Sequence, residues 1–172
     1  MAAKQWSKPF DFSVSGQKKY AATLTTNKGA FDVELFVDKA PQTVNNFVNL
    51  ARAGYYDCVQ FHRVIPGFVV QGGDATEGTG AGGPGYQFED ELPQAGEYEI
   101  GSVAMANSGE NTNGSQFFVV TGEQGAQLPP KYSLFGKVTE GMETVKAIEE
   151  DGSAGGTPTV VHVMVKITIT EA

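Results

Sequence analysis

The sequence predicts a mainly β protein, a closed eight-stranded antiparallel β-barrel capped by two α-helices. Three observations carry this. Eight short segments show two-residue alternation or brief apolar runs, whereas only two stretches carry helical spacing. The chain has 22 Gly and 8 Pro in 172 residues, a composition suited to many turns. Its length fits one domain, and 40% apolar residues can fill one core.

The elements follow in order. Residues 1–18 are mixed and polar and read as a loosely docked arm, leaving 19–172 as the domain. In 20–26, Tyr20, Ala22 and Leu24 alternate with Ala21, Thr23 and Thr25. After an Asn27-Lys28-Gly29 turn, 30–36 resumes the pattern with Phe31, Val33 and Leu35, a hairpin signal. Asp38 is a candidate N-cap, Pro41 suits a first turn, and Val44, Phe47, Val48 and Ala51 form one helical stripe that Gly54 ends. Residues 59–64, 68–71, 102–106, 116–121 and 134–138 read as short strands. Met142, Val145 and Ile148 mark a second helix, opened by Gly141 and closed near Gly152. Residues 160–170 form a last strand with Val161, Val163, Val165, Ile167 and Ile169 on one face.

Charge and composition exclude several classes. The formal net charge is −8 and the longest basic cluster is Lys18-Lys19, so a nucleic-acid or acidic-lipid surface is not expected. No stretch approaches the ~20 apolar residues of a membrane span. One cysteine, Cys58, and the lack of an apolar segment in residues 1–12 point to a reducing cytoplasm. Nothing in the sequence asks for an oligomer, so a monomer is expected.

Familiar catalytic patterns fail on context. Residues 78–83 match G-x-G-x-x-G, but Pro84 and Gly85 follow where a helix would have to start, leaving a plain flexible loop. His62 and His162 lack metal-type spacing, and His162 reads as a surface or edge residue. Glu89-Asp90-Glu91 lacks the spaced oxygen ligands of a calcium loop and reads as a solvated turn. Ser115 is not in a nucleophile elbow.

Two blocks remain. FHRVIPGFVVQGGD (61–74) sets one Arg and one Gln among apolar residues, with Phe61 and Arg63 on one strand face. An Arg on an apolar face needs either a carboxylate partner or a ligand. MANSGENTNGSQFF (105–118) is rich in Asn, Gly and Ser, and reads either as an ordinary long loop or as backbone exposed for an incoming peptide.

Together these blocks, followed by LFGKV (134–138), resemble the signatures of the cyclophilin family of peptidyl-prolyl cis–trans isomerases, in a compact form similar to the bacterial members. The resemblance runs from about Tyr20 to the C-terminus. It implies an isomerase that rotates X–Pro bonds and assists protein folding, chaperone-like, on proline-containing peptides and unfolded proteins. It implies Arg63, Phe68 and Gln71 as catalytic residues. Phe68, Val69, Phe118, Leu128 and Tyr132 would form the proline slot. Gln71 and the Asn107 backbone would hold the peptide, and Gly78, Ala106 and Gln116 would line the rest of the groove. No metal or other cofactor is implied. Family members bind cyclosporin, but Gln127 stands where many have Trp, so that binding is expected to be weak.

Two other classes compete with an enzyme. A proline-peptide binding scaffold is disfavoured by intact Arg63, Phe68, Gln71 and Phe118, and a purely structural β protein leaves Arg63 and the polar loop without a purpose.

Overall fold

The computed structural model describes residues 4–172. Nine strands, β1 (Tyr20–Thr26), β2 (Gly29–Leu35), β3 (Val59–Gln60), β4 (Arg63–Ile65), β5 (Val69–Gly72), β6 (Ser102–Met105), β7 (Phe117–Val120), β8 (Leu134–Glu140) and β9 (Val163–Glu171), form one antiparallel sheet. Its order is β3-β9-β1-β2-β8-β6-β7-β5-β4. Three helices join it: α1 (Pro41–Arg52), a short α2 (Glu123–Ala126) and α3 (Met142–Glu149).

The barrel is therefore not closed by a ladder, and it has nine strands, not eight. The segment expected as one strand over 59–64 breaks at Phe61-His62, and its two pieces bound opposite edges of the sheet. Only two residues separate Gln60 from Arg63, a span of about 10 Å at most. The sheet curls into an open half-barrel whose two edge strands, β3 and β4, are linked through Phe61-His62 without pairing. Phe61, buried, and Arg63, exposed, consequently do not share a face.

The core forms where alternation and helical stripes meet. Leu24, Phe31, Val33 and Leu35 point inward from the first hairpin, and Val44, Phe47 and Val48 of α1 pack among them, all under 5% exposed. Phe47 lies edge-on to Phe117 at 5.5 Å and tilted against Phe135 at 5.2 Å. In β9 the expected alternation slips: Thr25 pairs with Lys166 but Thr26 pairs with Met164. The bulge at Val165 exchanges the two faces, so Met164 and Ile167 are buried while Val165 is exposed; Val161 is exposed ahead of the strand, which begins at Val163 and not at 160.

The polar assignments also change. The N-cap of α1 is Ala40, without a side-chain bond, and not Asp38. Glu91 serves instead, accepting from Gln42 N–H at 3.2 Å, Thr43 N–H at 2.7 Å and Thr43 Oγ1 at 2.7 Å. Asp90 accepts from Asn111 N–H and Asn113 Nδ2. The acidic run is thus built into the structure, not a solvated turn. His162 is buried between Asp151 and Asn27. The arm is docked more firmly than expected over residues 4–18. Trp6 and Phe10 pack on the core, Val14 is 5% exposed, and Ser13 N–H donates to Asn45 Oδ1 at 2.8 Å. The first three residues of that arm lie outside the described residues. Among the described residues, no helix is long and apolar enough to cross a membrane.

Glu91→Ala removes the acceptor for three α1 donors and should cost about 1–2 kcal/mol. That corresponds to a Tm fall of about 2–8 °C by calorimetry. Exposed Glu89→Ala should change stability by under about 0.5 kcal/mol.

Candidate active site

The site begins with strands buried on both faces. In β7 (FFVV), Phe117 and Val119 enter the main core, while Phe118 and Val120 turn outward. There they meet a second apolar cluster with Val69, Ala104, Tyr98 and Leu134. A continuous apolar run is the sequence mark of such a strand. The outer face of β5, β7, β6 and β8 is therefore a floor on which a groove can stand.

Register places the polar residues on that floor. Arg63 of β4 is directly opposite Gln71 of β5, and Gln71 opposite Phe118 of β7. Arg63 Nη1 donates to Gln71 Oε1 at 3.2 Å, and its guanidinium carbon lies 5.7 Å from the centre of the Phe68 ring. Arg63 is exposed and has no carboxylate partner among the described residues. Of the two readings open for this Arg, the core ion pair is not what the fold builds.

Arg63, Phe68, Val69, Gln71, Ala106, Asn107, Phe118, Leu128 and Tyr132 together line a cavity of ≈ 120 Å³. Its walls are held from behind. Phe118 and Tyr132 meet edge to face at 5.4 Å. The Tyr98 hydroxyl donates to Tyr132 O at 2.6 Å and accepts from Tyr132 N–H at 3.1 Å. Burial pushes that hydroxyl up to about 12, so it remains a donor. Gly67 N–H donates to Glu149 Oε2 at 3.0 Å, fixing the turn before Phe68. A Cβ on Gly125 of α2 would sit 2.5 Å from Phe68 O, so only glycine lets α2 lie against that turn and bring Leu128 over the cavity.

Asn107 closes one side. Its Nδ2 donates to Lys131 O at 2.9 Å and its Oδ1 accepts from Gly109 N–H at 3.2 Å. Its own backbone N–H and C=O have no partner among the described residues. A neighbouring cavity of ≈ 280 Å³ shares Gln71, Ala106 and Asn107 and adds Gln116, Gly80, Gly82 and Thr112. Gln71 Nε2 donates to Gln116 Oε1 at 3.4 Å, and Gln116 Nε2 donates to Gly80 O at 2.8 Å and Gly82 O at 3.0 Å. Gly78 and Gln127 line neither cavity: Gly78 O accepts from Gln60 Nε2, and Gln127 is exposed at the end of α2.

The residue that sequence reasoning missed is Asp74. Its Oδ1 accepts from Thr76 N–H, Thr76 Oγ1 and Glu77 N–H, and its Oδ2 from Thr79, Gly80 and Gly82 N–H. The 78–83 segment is thus a cradle around one buried carboxylate, not a plain flexible loop. Burial alone would raise the Asp74 pKa, but the N–H groups of Glu77, Gly82, Gly80 and Thr76 hold it far below the usual carboxylate range. An Asp just before a Gly-rich stretch is the available signal for such a nest. Ser115 is buried, with Oγ bonded to Gly73 O and the Tyr55 hydroxyl, which removes it as a nucleophile. Burial pushes the His62 imidazole below its ordinary value, Asp74 raises it and Arg63 lowers it further.

A family model described as "Cyclophilin type peptidyl-prolyl cis-trans isomerase/CLD" matches residues 21–172. A relative named "Peptidyl-prolyl cis-trans isomerase-like 2" from Cryptococcus neoformans is 49% identical over 152 residues, 85% of this chain. The chain spans only 26% of that protein's length. "Peptidyl-prolyl cis-trans isomerase-like 3" from Homo sapiens is 46% identical over 134 residues, 76% of this chain and 82% of the relative. A crystal structure of a cyclophilin-type peptidyl-prolyl cis-trans isomerase from Cryptosporidium parvum superposes with a TM-score of 0.80 at 35% identity, covering 88% of this chain and 98% of that one. A second structure of that protein, in the presence of the dipeptide Ala-Pro, also gives 0.80, at 36% identity, covering 87% and 98%.

Asp74→Asn keeps one acceptor oxygen and should lower stability by about 1.5–3 kcal/mol at pH 7. Because the folded pKa is depressed, the carboxylate's contribution is present above the unfolded value near 3.9 and lost as pH falls through the folded one. The Tm gap between wild type and Asp74→Asn should therefore be wide at pH 7 and narrow steadily in scans below pH ~4.

Proposed function

The chain belongs to the cyclophilin-type peptidyl-prolyl cis–trans isomerase family, and we propose that it catalyses rotation about X–Pro bonds in peptides and unfolded proteins. The observation that carries this reading is Arg63, a guanidinium with no carboxylate partner at the lip of a cavity of ≈ 120 Å³ that Phe68, Val69, Phe118, Leu128 and Tyr132 also line. The prolyl ring occupies the slot of Phe68, Val69, Phe118, Leu128 and Tyr132, and the Asn107 backbone and Gln71 take the adjoining peptide groups.

The chemistry follows from the bond. The barrier is ~18–20 kcal/mol because the planar amide shares the nitrogen lone pair with the carbonyl. Twisting returns that pair to nitrogen. A donor aimed there stabilises only the twisted state, so its energy lowers the barrier instead of tightening the ground state. A guanidinium keeps its protons at any working pH and offers a planar fork. Gln71 takes one N–H of Arg63 and leaves the others for substrate. No covalent bond forms and no proton changes owner.

Residues 19–172 are the catalytic unit and residues 4–18 brace it from outside the groove. We read the protein as a cytoplasmic monomer that aids folding. One exposed free cysteine and a net charge of −8 support that setting.

Arg63→Ala should stay folded by circular dichroism and lose at least about a hundredfold in kcat/KM in a protease-coupled proline peptide assay. Arg63→Lys should recover little of it, because a point charge does not replace the fork. Activity should be nearly flat from about pH 6 to 8.5, since no titrating group is used and His62 is held below its ordinary value. A bell-shaped profile abolished by His62→Gln would contradict the mechanism.

Cyclosporin should inhibit weakly. Gln127 is exposed and outside the cavity, and the only Trp, Trp6, packs on Phe10 and Tyr55. An aromatic anchor contributes ~2 kcal/mol, so Gln127→Trp should tighten inhibition by roughly thirtyfold. Low-nanomolar inhibition of the unchanged protein would refute this.

A further inference from the structure

β4, which carries Arg63, is an edge strand. One side pairs with β5. The other is covered not by a strand but by residues 151–162: Val64 N–H donates to Gly156 O at 2.9 Å, and Ser153 N–H donates to Val64 O at 3.0 Å. The segment lies flush on the strand. A Cβ at Gly152 would be 2.5 Å from Val64 O, and one at Gly156 (φ +94°) would be 3.2 Å from Arg63 Cγ and 3.7 Å from its Nε. The aliphatic stem of Arg63 thus rests against bare backbone.

The segment is tied at its neck. Asp151 O accepts from Thr159 N–H at 2.6 Å and Thr159 Oγ1 at 3.0 Å. Asn27 Oδ1 accepts from Val163 N–H at 2.8 Å, which turns its Nδ2 toward His162 Nδ1 at 2.9 Å. His162 Nδ1 is therefore an acceptor, and the ring hydrogen sits on Nε2, which donates to Asp151 Oδ2 at 2.6 Å. His162 O also accepts from Phe61 N–H at 2.9 Å, two residues before Arg63. The same short segment so grips the chain on both sides of Arg63.

We infer that residues 151–162 are a strap that positions Arg63, and that the Asn27–His162–Asp151 hydrogen-bond chain is its lock. Asp151 and His162 line no part of the cavity, so they are positioning residues. The inference rests on the role given to Arg63 above. Because a donor misplaced by about an ångström can cost up to about a hundredfold in rate, the strap acts on turnover more than on peptide binding.

The test measures kcat and KM with a proline peptide, and the Arg63 Nε–H resonance by NMR, in wild type, Asp151→Ala, Asp151→Asn and Gly156→Ala. Asp151→Ala should lower kcat by roughly tenfold, change KM by less than about twofold and move the Arg63 resonance. Asp151→Asn, whose carboxamide oxygen still accepts from His162 Nε2–H, should keep kcat and the resonance near wild type. Gly156→Ala sets a methyl against the Arg63 stem and should reproduce the Asp151→Ala signature, which keeps the test decisive if Asp151→Ala does not fold. An unmoved Arg63 resonance in the folded Ala variants, or an equal loss in Asp151→Asn, overturns the strap. Arg63→Ala separates the two claims: full activity there removes the proposed role of Arg63, whereas low activity there beside unaltered strap variants removes only the strap.

Discussion

The register that sets Arg63 opposite Gln71, and Gln71 opposite Phe118, is the constraint from which the site follows. Along a strand, faces alternate residue by residue, so a slip of one position would turn all three inward. Burial on both faces enforces the register. Val70, Phe117 and Val119 must enter the main core while Val69, Phe118 and Val120 enter the outer cluster. A one-residue slip of β5 would carry Gln71 into the main core in place of Val70, burying a carboxamide without a partner. The polar row is thus held in place by apolar neighbours that never touch a substrate.

That arrangement also ranks the contributions. On the proposed mechanism the slot and the free Asn107 backbone would hold a proline segment equally in its planar and twisted forms, and so would set affinity. On that mechanism only the Arg63 guanidinium would distinguish the forms, and each ~1.4 kcal/mol of that preference would be tenfold in rate. Tyr98, Glu149 and Gly125 matter by holding Tyr132, the Gly67 turn and α2 where the slot needs them.

Elements governed by local pattern were legible in the sequence. The first hairpin, the α1 stripe and the buried face of α3 follow alternation and helical spacing directly. What pattern could not show were long-range partners. Glu91 caps a helix 48 residues away, and His162 meets Asn27 135 residues away. The bulge at Val165 keeps a strand apolar in sequence while reversing which residues are buried. The short α2 has too few residues to show a period, and the break at Phe61-His62 leaves alternation looking continuous across two strands. At the site, Phe68, Val69, Phe118, Leu128 and Tyr132 line one cavity with Arg63, whereas Asp74 was hidden because its partners are backbone N–H groups of a Gly-rich stretch.

The role proposed for Arg63 is a preference between two states of one bond, so it is tested most directly by separating binding from rotation. Exchange NMR on a proline peptide bound to wild type and to Arg63→Ala gives both the dissociation constant and the cis–trans rate on the protein. The on-protein rate should be at least about a hundredfold lower in Arg63→Ala, with a dissociation constant within a few-fold of wild type. A variant that binds far more weakly yet rotates its bound peptide at the wild-type rate would contradict it, and would make Arg63 a binding residue alone.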